Sequence, residues 1–169
     1  MPTVIKAFAL FQRENSASNT SKLHIYGDGP ERDRLAALCA ENSLDPCDVL
    51  MGRTENPLQA MEEVDVVIVS SSFEGFGMVY LEAMALGKPI ISSKIDTALE
   101  VLGNEGSAMF FETNSSIDLA HLMKNWKQFL PHSYRQLQKL RLEHFRADLM
   151  ETRMNEVYGK MTQRKLAKD

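Results

Sequence analysis

Apolar positions along this 169-residue chain follow two rhythms. Short unbroken runs at 23–26, 49–51, 66–69, 90–92 and 108–111 predict strands. They do not alternate apolar with polar, so they predict strands covered on both faces. Between them, apolar residues recur at helical spacing, which predicts helices near 31–43, 57–63, 78–86 and 97–102. The opening MPTVIKAFALFQREN has the same amphipathic period. From about Ser115 the strand signal stops, and the tail predicts helices near 116–129, 133–146 and 150–166.

Strands alternating with helices through short connections imply an α/β fold. The expected form is a Rossmann-like, doubly wound parallel sheet with helices on both faces, followed by the helical tail. Ligands of such sheets bind beyond the carboxyl ends of the strands. No repeat, low-complexity tract or linker breaks residues 1–169, so one domain is expected. A sheet of this kind normally opens on a strand, whereas this chain opens on a helical pattern. That mismatch predicts a boundary drawn inside a larger protein.

Composition narrows the function classes. The 44% hydrophobic and 25% charged content is that of an ordinary globular protein. A formal charge of −4 argues against nucleic acid as the main partner. No apolar run approaches the roughly 20 residues that cross a bilayer. The N-terminus lacks the basic leader and small-residue cleavage site of a signal peptide. Cys39 and Cys47 have no metal spacing and read as structural thiols of a reduced, cytoplasmic protein. His24, His121, His132 and His144 share no spacing suited to metal or acid–base work. Met78, Met84 and Met109 read as core fillers, and Trp126 as the anchor of a tail helix. Gly27-Asp-Gly29-Pro30 follows a strand, but Arg32 stands where a dinucleotide motif needs its third glycine. A tight turn into the helix at 31–43 is the reading that remains.

Candidate chemistry concentrates between Ser70 and Ser93, SSSFEGFGMVYLEAMALGKPIISS. The strand ending at Val69 delivers a loop to the ligand-binding edge, and Gly75 and Gly77 bracket Phe76 there. A helical pattern from Met78 ends at Gly87. Free N–H groups around Gly75–Met78, at a helix start, suit a diphosphate. Glu74 and Glu82 lie eight positions apart and would stand about 80° apart on one helix. The glycines argue against one helix, so Glu74 is expected in the loop and Glu82 in the second turn behind it. One carboxylate then faces the sugar end of a ligand and the other the nucleoside end.

The run Glu74-Gly-Phe-Gly-Met-Val-Tyr-Leu-Glu82-Ala-Met-Ala-Leu-Gly-Lys-Pro-Ile-Ile resembles the two-glutamate motif of retaining glycosyltransferases of family 4, which have the GT-B fold. Ile25-Tyr-Gly-Asp-Gly-Pro30 resembles the strand and turn before a helix of that family's donor domain. Val49-Leu-Met-Gly-Arg53 resembles its next strand and base-contacting loop, and Glu100-Val-Leu its later acidic helix start. The similarity covers roughly residues 4 to 112.

The resemblance implies one lobe of a GT-B fold that transfers a sugar, with retention, from a nucleotide-diphosphate sugar to an acceptor. Glu74 would contact hydroxyls of the transferred sugar as the catalytic-site acid. The backbone of Phe76, Gly77 and Met78, beside Gly75, would hold the diphosphate and sugar. Glu82 would accept from the ribose hydroxyls, Gly52, Arg53 and Thr54 would line the base, and Gly27 belongs to the same donor edge. No cofactor or metal is implied, because a basic Arg and Lys pair stabilises the leaving diphosphate in this family. The family places that pair upstream of the helix beginning near Pro2, and Lys6, on that helix, does not replace it. A pair of glycines usually shortly precedes the acid matched by Glu100; here Asp96 and Thr97 stand there.

Implied partners are the nucleotide-sugar donor and an N-terminal acceptor-binding lobe of the same parent protein. That lobe allows a peripheral association with the cytoplasmic face of a membrane, in polysaccharide or glycolipid synthesis. Lys160, Arg164, Lys165 and Lys168 read as a solvated helix end, or as an interface with the acceptor half. Two other classes stay open at this level: a non-catalytic nucleotide-binding module, and a glycoside hydrolase using the paired acids.

Overall fold

The computed structural model describes residues 1–15 and 20–146. The helix expected at 150–166 and its charge run lie outside the described residues. In chain order the elements are α1 (Pro2–Glu14), β1 (Ile25–Tyr26), α2 (Arg32–Glu41), α3 (Pro46–Val49), β2 (Leu50–Gly52), α4 (Pro57–Glu62) and β3 (Val67–Val69). There follow α5 (Met78–Ala85), β4 (Ile90–Ser93), α6 (Asp96–Leu102), β5 (Met109–Phe111), α7 (Ser116–Phe129) and α8 (Tyr134–Glu143).

Every strand pairing among the described residues is parallel. The strands form two ladders, β1–β2 and β3–β4–β5 in that order. Side-chain alternation along the larger ladder sorts the interior into two layers. Ile91, Met109 and Phe111 point to one side, where they join Val4, Ile5 and Phe8 of α1 and Leu119 and Met123 of α7. Val67, Val69 and Ile90 point to the other, where they meet Tyr80 and Met84 of α5 and Val101 and Leu102 of α6. Helices therefore cover both faces, as a doubly wound sheet requires. Leu35 and Cys39 of α2, with Leu50 of β2, belong to the first layer, so both ladders share it.

Only part of the strand expectation holds. All four residues of β4 are buried, as a strand covered on both faces should be. β1 is half-buried and Met51 of β2 is exposed, so the smaller ladder is less covered than the larger one. Residue 49, expected in a strand, ends α3, a single turn started by Asp45, whose carboxylate accepts from the Cys47 N–H at 2.8 Å. Cys39 is a core residue, but Cys47 on that turn is exposed, which corrects its reading as a structural thiol. Trp126 packs at the edge of the first layer, as expected of a tail-helix anchor.

Local chemistry fixes the helix ends around the larger ladder. Ser115 caps α7 by accepting from the Asp118 N–H. α5 ends in a Schellman turn: the Lys88 N–H donates to the Ala83 carbonyl, and the Gly87 N–H to that of Met84. Gly87 takes φ +62 there, as glycine does readily. Lys88 reaches back to donate to the Glu62 and Val64 carbonyls at 2.7 and 2.8 Å, holding the end of α4 beside the start of β4.

Candidate functional site

β3 ends at Val69 and the chain runs through an irregular loop until α5 begins at Met78. Glu74 is in this loop and Glu82 is in the second turn of α5, so the two acids occupy different elements. Three hydroxyls hold the loop, one from within it and two from neighbouring elements. The Ser71 hydroxyl donates to Glu74 Oε1 at 2.6 Å. The Thr97 hydroxyl, at the start of α6, donates to the Glu74 carbonyl at 2.9 Å. The buried Ser93 hydroxyl, at the end of β4, donates to the Ser71 carbonyl. Glu74 is thereby fixed at both its carboxylate and its peptide.

Gly77 makes the turn into α5 with φ +74. A Cβ there would overlap the ring of Tyr80, which is fully buried beneath it. The Tyr80 hydroxyl meets the Ser92 hydroxyl at 3.2 Å. Burial pushes the Tyr80 phenol pKa up, the Ser92 hydrogen bond opposes that, and the Glu74 charge adds to it.

Among the described residues, the backbone N–H groups of Gly75, Phe76 and Gly77 make no hydrogen bond. With the unpaired amides of Met78 and Val79 at the start of α5 they form a group of free donors after β3, the kind of arrangement that anions occupy, while the Tyr80 N–H donates to the Gly77 carbonyl. Glu82 is half-buried, and its carboxylate makes no hydrogen bond or ion pair with another described residue. Met78 is 58% exposed, which corrects its reading as a core filler. It is the first residue of α5, whereas Met84 and Met109 are buried as expected. Phe76 lies edge-on to Phe145 at 5.8 Å, and Phe73 is 85% exposed.

A second set sits on the smaller ladder. The Gly27 N–H donates to the Gly52 carbonyl at 2.7 Å, which joins the ends of β1 and β2. Arg32 of α2 donates to the Leu50 carbonyl at 3.3 Å and lies against Gly52. Arg53 is exposed and Thr54 half-buried in the loop that follows β2. Thr54 Oγ1 accepts from the Asn56 N–H at 3.1 Å. No hydrogen bond links this set to the Glu74 loop among the described residues. A shallow depression lined by Pro2, Lys6, Arg34, Leu35, Leu38 and Glu41 lies between α1 and α2 and includes none of these residues.

Residues 1–134 match the family described as glycosyl transferases group 1. The chain belongs to that family. Its relatives include N-acetyl-alpha-D-glucosaminyl L-malate synthase of Bacillus anthracis, 29% identical over 117 residues, which are 69% of this chain and 30% of that protein. Poly(ribitol-phosphate) alpha-N-acetylglucosaminyltransferase of Staphylococcus aureus is 32% identical over 77 residues, 46% of this chain and 16% of that one. The crystal structure of HepE from Anabaena in complex with UDP-glucose superposes with a TM-score of 0.76 at 21% identity, over 94% of this chain and 44% of HepE. At that identity the likeness carries the fold alone, and the fold is the Rossmann-like lobe of a GT-B glycosyltransferase. This group 1 chain spans less than half the length of each of these proteins. Membership in a transferase family sets the hydrolase alternative aside.

The hydroxyls of Ser71, Ser93 and Thr97 were not among the expected site residues. Ser71 and Ser93 bound the motif in sequence, but only the parallel pairing of β3 with β4 brings them together. No described helix is long and apolar enough to cross a membrane.

Proposed function

We propose that this chain is the donor-binding half of a retaining glycosyltransferase acting on a nucleotide-diphosphate sugar. The observation that carries the reading is the division of the motif: Glu74 tethered in a loop, free amides beside it, and an unpartnered Glu82 carboxylate in the next helix. The amides of Gly75, Phe76, Gly77 and Met78 bind the diphosphate and stabilise its growing charge as the glycosidic bond loosens. Glu82 accepts from the ribose hydroxyls, Glu74 holds hydroxyls of the transferred sugar, and Gly52, Arg53 and Thr54 line the base, with Gly27 at the same edge. These roles need neither metal nor cofactor. A second lobe supplies the acceptor, and half a cleft cannot orient two substrates. Residues 1–169 alone are therefore nearly inert in transfer.

The test is calorimetry of the chain with UDP, GDP and ADP at up to millimolar concentration. Glu82→Ala weakens the diphosphate that binds by roughly 10- to 150-fold, the loss of charge-assisted bonds worth about 1.5–3 kcal/mol. Glu74→Ala leaves that affinity nearly unchanged, because a free diphosphate carries no sugar. Equal losses in both variants would refute the assignment.

A further inference from the structure

The group 1 resemblance gives no role to the hydroxyls that surround Glu74. We propose that Ser71 and Thr97 are positioning residues that hold Glu74 in its sugar-binding geometry before the donor arrives. The inference rests on the donor-site reading above and adds residues to that same site. Glu74 is followed by Gly75 and then Gly77, so its loop has more backbone freedom than one built from other residues. Ser71 removes that freedom at the carboxylate, by its 2.6 Å bond to Oε1. Thr97 removes it at the peptide, by its 2.9 Å bond to the carbonyl. Ser93, buried at the end of β4, holds Ser71 in turn. Two of the three tethers thus come from the end of β4 and the start of α6, elements outside the loop itself.

The geometry leaves the acid usable. A carboxylate offers about four lone-pair sites, and Ser71 occupies one of them. Oε2 and the remaining sites are left for sugar hydroxyls. Both tethers are neutral hydroxyls, so they orient the acid without cancelling its charge as a Lys or Arg would. Thr97 stands where the family resemblance has glycine, and a glycine has no side chain to make this bond. The Thr97 tether is accordingly a feature of this chain's own sequence. Preorganisation of this kind affects sugar binding and leaves the diphosphate contacts, made by amides and Glu82, largely untouched.

The experiment is titration of the chain with UDP and UDP-glucose, GDP and GDP-mannose, and ADP and ADP-glucose. Wild type is compared with Ser71→Ala, Thr97→Val and Thr97→Ser. For the pair that wild type binds, Ser71→Ala and Thr97→Val weaken the nucleotide sugar roughly tenfold, and the free diphosphate less than about threefold. Thr97→Ser, which keeps the hydroxyl, restores sugar binding to within about twofold of wild type. A purely structural role would weaken both ligands alike, and that result overturns the inference, as does an unchanged ratio or a failed rescue. Wild type that takes free diphosphates but no nucleotide sugar overturns it too. Wild type that takes neither member of any pair refutes the donor-site reading itself, which separates the two failures. Should Thr97→Val fold poorly by its melting temperature, Ser71→Ala reads the same ratio.

Discussion

Gly77 offers the sharpest test of how the loop is built. Its φ of +74 lies in the left-handed region, which costs a non-glycine residue about 1–2 kcal/mol. An added Cβ would also approach Tyr80 Cε2 to 2.6 Å, well inside contact distance. The Tyr80 ring cannot swing away cheaply, since it is fully buried and its hydroxyl is bonded to Ser92. Forcing extra volume into a packed site costs about 1–3 kcal/mol. Gly77→Ala is therefore destabilising by about 2–5 kcal/mol, a fall of roughly 4–20 °C in melting temperature for a chain of this size. Gly75 is the control two positions earlier. A Cβ there meets nothing within 4 Å, and its φ is not positive. Gly75→Ala should stay within about 0.5 kcal/mol of wild type. Urea and thermal denaturation of both variants give the comparison. Adding Tyr80→Ala separates the two contributions, because with the ring gone Gly77→Ala should cost only the backbone share of about 1–2 kcal/mol. The reasoning fails if Gly77→Ala is as mild as Gly75→Ala, or if its cost is unchanged when the Tyr80 ring is absent.

Tyr80 also predicts a pH dependence. Its pKa is raised chiefly by burial, so the folded state keeps a proton that the unfolded chain releases. The stability linked to it is full below the unfolded phenol's pKa of about 10 and is lost as pH rises through the folded value. Urea midpoints measured from pH 8 to 11 should fall more steeply in wild type than in Tyr80→Phe; parallel slopes would remove Tyr80 from the account. Gln138 on α8 is fully buried and donates to the carbonyls of Lys88 at 2.8 Å and Ser107 at 3.0 Å. Gln138→Ala strands both acceptors and opens a void, for a loss of about 2–4 kcal/mol in urea unfolding. A loss under about 0.5 kcal/mol would mean that water replaces the amide.

The sequence carried most of the fold because its apolar runs are contiguous and its helices are well punctuated. β3, β4 and β5 each fall within one residue of their expected limits, and Gly87 ends α5 by a turn that glycine favours. The short turn of α3 escaped because Val49 reads equally well as strand, although Asp45-Pro46 is a helix-start signal. Met78 escaped because helical period alone cannot tell a first-turn residue facing solvent from one facing the core. At the site, Glu74 and Glu82 were legible from the glycines between them. Their surroundings were not, since Ser71, Ser93 and Thr97 meet only through pairing of strands more than twenty residues apart in sequence.

The separation of the strands into two ladders bears on how this chain behaves in solution. One five-stranded sheet would have two outer strands, whereas β1, β2, β3 and β5 all stand at an edge among the described residues. An edge strand presents unpaired N–H and C=O groups that can recruit a strand from another molecule. The strands here span only two to four residues, so each offers few such groups. Asp65 stands two residues ahead of β3, where like charges on two copies repel, whereas Glu112 after β5 is paired with Lys94 at 3.3 Å. Resistance of the isolated chain to clumping thus rests on strand brevity and, at β3, on the Asp65 charge, so substitutions that lengthen β3 or neutralise Asp65 are the ones that promote it.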